Sequence, residues 1–211
     1  MKCLRMFSFA LLFVTLCGAF AQAAPRAVCD GDICKLPENL ARPVPLAAVR
    51  EDSVGAVLPQ LDYIDSTRAI FHSHFGLFVY DLQRRTLLRT LDLRPIDACY
   101  MQGSVYTRVR VSEDGQTVYI NNAGYEADGK MYAYDVESNF LTETAPRDVP
   151  DRRTSAPPPS SMPYAGGEYR GLTPDGRLVY FACPDWRAKN LQLILCDAQA
   201  LRCEIYEPLR A

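Results

Sequence analysis

Asp114-Gly115-Gln116-Thr117-Val118-Tyr119-Ile120 and Asp175-Gly176-Arg177-Leu178-Val179-Tyr180-Phe181 are two copies of one pattern. Each opens on Asp-Gly, where glycine accepts the positive φ of a tight turn. Each then runs into a segment rich in β-branched and aromatic residues, the composition of a strand. A third copy, Asp65-Ser66-Thr67-Arg68-Ala69-Ile70-Phe71, keeps the strand and lacks the glycine. Beyond a variable loop every copy carries a second strand closing near an aspartate, a residue suited to the next turn. These are Gly76-Leu77-Phe78-Val79-Tyr80-Asp81, Lys130-Met131-Tyr132-Ala133-Tyr134-Asp135 and Leu191-Gln192-Leu193-Ile194-Leu195-Cys196-Asp197. Further strands are expected at Thr86 to Leu91, Phe140 to Thr144 and Leu201 to Tyr206, and one precedes each turn, as at Thr107 to Val111.

About four short antiparallel strands per unit, repeated three times, define an all-β fold. Alternation along Leu77 to Leu82 sends Leu77 and Val79 to one face and Phe78 and Tyr80 to the other, so this strand expects cover on both sides. Here the chain resembles the β-propeller repeats of the YVTN and WD40-like class. The motifs are Ser112-Glu113-Asp114-Gly115 with Val118-Tyr119, Thr173-Pro174-Asp175-Gly176 with Val179-Tyr180, and the pairs Tyr80-Asp81 and Tyr134-Asp135. The resemblance implies antiparallel blades over roughly residues 55 to 208. Propellers close with about four blades or more and only three are present, so an open or incomplete propeller is expected, with a homodimer as one way to complete a ring. A β-sandwich is the alternative. The stretch Phe75 to Asp97 also looks like a β-rich extracytoplasmic region of membrane-bound antirepressor metallopeptidases. No His-Glu-x-x-His motif accompanies it, so peptidase activity does not carry over.

Three further regions flank or interrupt the repeats. Residues 1–23 have the form of a signal peptide: Lys2 and Arg5, an apolar run from Phe7 to Phe20, then Ala21-Gln22-Ala23 before a cleavage site. An uncleaved anchor, or a lipoprotein through Cys17, is the alternative. Residues 24–54 form a leader, and 55–211 the β domain with a Pro-rich insertion at 144–167 containing Pro157-Pro158-Pro159. Export to the periplasm or outside the cell is expected, without stable membrane insertion after cleavage. Removing Lys2 and Arg5 takes the 23 basic residues to 21 against 25 acidic ones, a formal net charge of −4. With no basic run, nucleic acid is not an expected partner.

Six of the eight cysteines remain after cleavage: Cys29, Cys34, Cys99, Cys183, Cys196 and Cys203. An even number in an exported chain argues for disulfides. Stacking the units sets Tyr80 with Leu87, Tyr134 with Leu141 and Cys196 with Cys203 at equivalent hairpin positions, so the last pair is expected to bond. Cys29 and Cys34 enclose the turn Asp30-Gly31-Asp32-Ile33 and are expected to pair locally. That leaves Cys99 with Cys183, a long-loop bond expected to stabilise most.

His72 and His74 are the only histidines. On a continuous strand both would share one face and could hold zinc or copper with a third ligand. No Gly-x-Ser-x-Gly elbow exists. Among the carboxylates, Asp62, Asp65, Asp81 and Asp135 fall near strand ends, where turn chemistry explains them. Tyr100, Tyr106, Tyr125, Tyr132, Tyr164 and Tyr169 are aromatic candidates for contact with a ligand. No cofactor motif is present. The expectation is an exported, non-catalytic binding or protein-interaction module for a protein, peptide or carbohydrate ligand. A secreted hydrolase or metal-binding protein using His72 and His74, or strand-end carboxylates, is the alternative.

Overall fold

The computed structural model describes residues 28–30, 33–35, 37–46, 58–99, 107–122, 129–150, 167–185, 190–197 and 202–210. Two compact units divide the chain, Met1–Pro37 and Glu38–Ala211. In the first, β1 (Val28–Asp30) and β2 (Ile33–Lys35) pair antiparallel with Cys29 opposite Cys34. The register suits the expected local bond, whose side chains lie outside the described residues, as do residues 1–23 and 151–166.

The second unit is all-β and built from three four-stranded antiparallel meanders. The first sheet holds β3 (Gln60–Ile64), β4 (Arg68–His72), β5 (Gly76–Asp81) and β6 (Thr86–Asp92). The second holds β7 (Arg108–Val111), β8 (Thr117–Asn121), β9 (Met131–Asp135) and β10 (Phe140–Thr144). The third holds β11 (Glu168–Leu172), β12 (Leu178–Ala182), β13 (Gln192–Cys196) and β14 (Cys203–Tyr206). Three blade-like sheets, rather than the two of a sandwich, make up the fold. Among the described residues no helix is long and apolar enough to cross a membrane.

Alternation decides how the sheets stack. Ala69, Phe71, Phe78 and Tyr80 join Val179, Phe181, Leu193 and Leu195 in one core between the first and third sheets. Ile70, Leu77 and Val79 join Val109, Val111, Val118, Ile120 and Tyr134 in another, between the first and second. The first sheet is therefore the middle layer, and the second and third sheets share no cluster, so the stack is open. Phe71 is fully buried, stacked on Phe78 at 5.2 Å between ring centres and tilted against Phe181 at 5.3 Å.

A strap from residues 39 to 44 binds two edges. Leu40 N–H donates to Leu141 O at 2.9 Å, Leu141 N–H donates to Asn39 Oδ1 at 2.9 Å, and Asp92 N–H donates to Arg42 O at 2.7 Å. It thereby covers the fourth strands of the second and first sheets, edges that would otherwise present unpaired backbone groups.

The first hairpin turns repeat one design. Ser112 and Thr173 each donate a backbone N–H across the turn, to Thr117 O and Arg177 O, and take the return N–H on their hydroxyls. Gly115 and Gly176 follow with φ of 67° and 84°. In the first sheet Asp65 does the work of that Ser or Thr: its N–H donates to Arg68 O and its Oδ1 accepts from Thr67 and Arg68 N–H. Asp65 thus matches Ser112 structurally, whereas stacking the sequences had set it beside Asp114.

Cys196 and Cys203 stand opposite each other in β13 and β14 and are joined by a disulfide. The equivalent pairs Tyr80–Leu87 and Tyr134–Leu141 also face each other. The Cys99–Cys183 bond expected by elimination does not form, and both thiols are free. Cys183 belongs to the core between the first and third sheets, while Cys99 packs on the core between the first and second. The middle layer separates them. Burial raises both thiol pKa values, which lowers their thiolate fraction. Alkylation in denaturant without reductant should label Cys99 and Cys183 and spare Cys196 and Cys203; peptide mass mapping reads this directly, and a Cys99–Cys183 linked peptide would contradict the separate cores.

Hydrogen bonds hold three turn carboxyls below their ordinary pKa. For Asp114 and Asp175 the chief cause is the hydroxyl of Ser112 or Thr173. Around Asp65 burial acts upward, but bonds from Thr67, Arg68 and Tyr63 together prevail. A depressed folded pKa gives stability that is present above the unfolded value of about 4 and is lost as pH falls through the folded value. Stability should therefore drop on acidification below about pH 4. Replacing all three by Asn should flatten that acid limb, as measured by urea midpoints against pH.

Candidate functional site

The outward face of the second sheet carries arginines and polar side chains around a cavity. Strand alternation turns Val109 and Val111 of β7 into the core and leaves Arg108 and Arg110 outside. Register carries the same division across the sheet. Arg108 stands opposite Asn121, Asn121 opposite Met131 and Met131 opposite Thr144. The neighbouring row runs Arg110, Tyr119, Ala133 and Thr142. Residues leaving β10 fold back along this face, and Arg147 places its guanidinium 5.3 Å from the centre of the Tyr119 ring, a cation–π contact. Arg147 also donates to Thr144 Oγ1 at 3.2 Å. Together with Asp148, Val149 and Pro150, the face lines an open cavity of about 330 Å³.

Among the described lining residues, three guanidinium groups face one carboxylate. Arg110 donates to Val109 O at 2.9 Å. Arg108 is exposed and makes no hydrogen bond or ion pair with described residues. Asn121 Oδ1 is buried and has no hydrogen-bond partner. Lys130, just before β9, and Glu143 of β10 form an ion pair at 3.6 Å. The cavity therefore offers donors for an anion, with Met131 as an apolar part of its lining.

The structure sorts the residues singled out from the sequence. His72 and His74 do not share a strand face, because β4 ends at His72 and Ser73 begins a turn. Ser73 N–H donates to Gly76 O at 2.8 Å, and Gly76 N–H returns to Ser73 Oγ at 3.2 Å. That turn carries His74 off the strand and occupies the Ser73 hydroxyl. Among the described residues no three His, Cys, Asp or Glu side chains gather as metal ligands. His72 instead meets Asp62, Nδ1 to Oδ2 at 2.7 Å, with side chains 7% and 1% exposed. Asp62 is the extra residue of a β-bulge, since Leu61 pairs with Phe71 and Tyr63 with Ile70. The bulge re-aims its side chain toward the histidine.

The other strand-end carboxylates are consumed by turns. Asp65 holds its own hairpin, Asp81 accepts from Gln83 and Arg84 N–H, and Asp135 accepts from Ser138 N–H and hydroxyl. Of the aromatic candidates, Tyr132 is buried in the core and Tyr169 packs edge-on to Tyr180 at 5.7 Å. Tyr100, Tyr106, Tyr125 and Tyr164 lie outside the described residues. Sequence reasoning passed over Arg108, Arg110, Tyr119 and Arg147. The available signal was Arg-Val-Arg-Val at 108 to 111, an alternation that puts two cations two residues apart on a solvent face.

No family model matches the chain, and no curated protein or solved structure matches it.

A carboxylate only accepts, so Asp62 fixes the proton of His72 on Nδ1. Replacing Asp62 alone with Ala leaves that buried N–H unpaired and should cost about 1–3 kcal/mol of stability. Replacing both, as Asp62→Leu with His72→Phe, should recover most of it in urea melts. A double variant no more stable than Asp62→Ala would show that the pair does more than satisfy itself.

Proposed function

We propose that the protein is an exported, non-catalytic binding module whose ligand occupies the outward face of the second sheet. The carrying observation is the face itself: Arg108, Arg110 and Arg147 around Tyr119 and Asn121, over a cavity of about 330 Å³. Ligand pockets commonly span about 300–1,000 Å³ and fix their ligands with a few placed polar groups. Core packing asks nothing of these side chains, since the opposite face of the same strands supplies Val109, Val111, Val118 and Ile120 to the core.

Export is supported by the charged start, apolar run and Ala21-Gln22-Ala23 of the first residues, and by the Cys196–Cys203 disulfide, which suits an oxidising compartment. The three meanders, each with its Ser-, Thr- or Asp-closed turn, are read as blades of an incomplete propeller of the YVTN and WD40-like kind. Against a hydrolase stand the Ser73 hydroxyl, committed to its turn, and Asp65, Asp81 and Asp135, committed to theirs.

Backbone amide shift mapping of the mature protein with glutarate and galacturonate tests the site. Shifts should concentrate on Arg108 to Val111 and Thr117 to Asn121, weaken with added salt, and vanish in Arg108→Glu/Arg110→Glu while the thermal melt stays unchanged. Shifts that persist in that variant would place the ligand elsewhere. Ester or glycoside turnover abolished by His72→Phe in a folded protein would favour the hydrolase.

A further inference from the structure

We infer that the ligand of this face is an extended acidic peptide segment with carboxylates on alternate residues. This rests on reading the outward face of the second sheet as the ligand site. Arg108 and Arg110 are two residues apart on β7, so their side chains leave the same face about 7 Å apart. An extended peptide repeats its own same-side positions at that interval. Acidic saccharides, whose carboxylates ride on successive rings, lack the repeat.

The chemistry agrees with the spacing. A guanidinium presents a planar fork that meets a carboxylate with two parallel hydrogen bonds. Arg108 makes no hydrogen bond or ion pair among the described residues. Arg147, braced over Tyr119 and bonded to Thr144, brings a third guanidinium from the opposite wall.

Fluorescence anisotropy on the mature protein decides the matter, with three labelled probes. These are acetyl-Glu-Ala-Glu-Ala-Glu-Ala-amide, its block isomer acetyl-Glu-Glu-Glu-Ala-Ala-Ala-amide, and a galacturonate trimer of equal charge. The alternating peptide should bind at least about tenfold more tightly than the block isomer, a difference of about 1.4 kcal/mol. Arg108→Glu/Arg110→Glu should abolish that preference without lowering the melting temperature. Equal affinity for the two peptides would overturn the register argument and leave a merely cationic face. A saccharide bound in preference to both peptides would overturn the peptide class, with the face still the site. Absence of binding by all three, where glutarate still shifts the β7 and β8 amides, would refute the peptide inference alone; loss of those shifts as well would refute the site.

Discussion

Everything in the second unit depends on the first sheet being apolar on both sides. Ile70, Leu77 and Val79 are fully buried toward the second sheet, and Ala69, Phe71 and Phe78 are fully buried toward the third. A four-stranded sheet with one apolar face can be covered once and left wet on the other. A sheet with two such faces must be sandwiched, because each large side chain left in water forgoes roughly 1.5–3 kcal/mol. The other two sheets are organised by that demand, each turning its own alternate residues toward the middle layer.

Polar bridges then fix the angle at which the outer sheets sit. Arg89 of β6 donates to Val136 O and Glu137 O of the second sheet, each at 3.1 Å. Arg85 lies over the Tyr206 ring of the third sheet at 4.9 Å. Arg170 of β11 reaches Pro59 O at 3.0 Å, beside the start of β3. Non-directional burial brings the layers together, and these guanidinium contacts to backbone oxygens and one aromatic face select among the sliding positions that burial alone would allow. Arg85 holds a left-handed backbone with φ of 56°, a conformation it shares with Asn139 at the same place in the second sheet.

Much of this was legible in the residues themselves. The opposed faces of Leu77 and Phe78, and the facing pairs at Tyr80–Leu87, Tyr134–Leu141 and Cys196–Cys203, follow from a period of two and a repeated turn. The order of layers was not legible, because apolar faces are interchangeable until packed. Pairing Cys99 with Cys183 by elimination failed for that reason: counting thiols does not reveal that a whole sheet stands between their cores. The shared face of His72 and His74 failed because parity holds only while a strand continues, and Ser73 closes a turn with Gly76. Asp62 finds His72 through a bulge, an inserted residue that reverses parity and leaves no mark in composition.

The same reasoning explains why the arginine-lined face was the hardest feature to see. A core announces itself by what is buried, and the second sheet's buried half is ordinary: valines, an isoleucine and tyrosines. Its outward half becomes distinctive only when cross-strand register sets Arg108 beside Asn121 and Arg110 beside Tyr119, and when the segment after β10 folds back to add Arg147. Solvated arginines by themselves are common on β surfaces. Among the described residues no further sheet covers this face, and one amide oxygen within it is buried without a donor. A buried acceptor left unmet costs about 1–3 kcal/mol, so the sheet carries at Asn121 a deficit that nothing in its sequence announces.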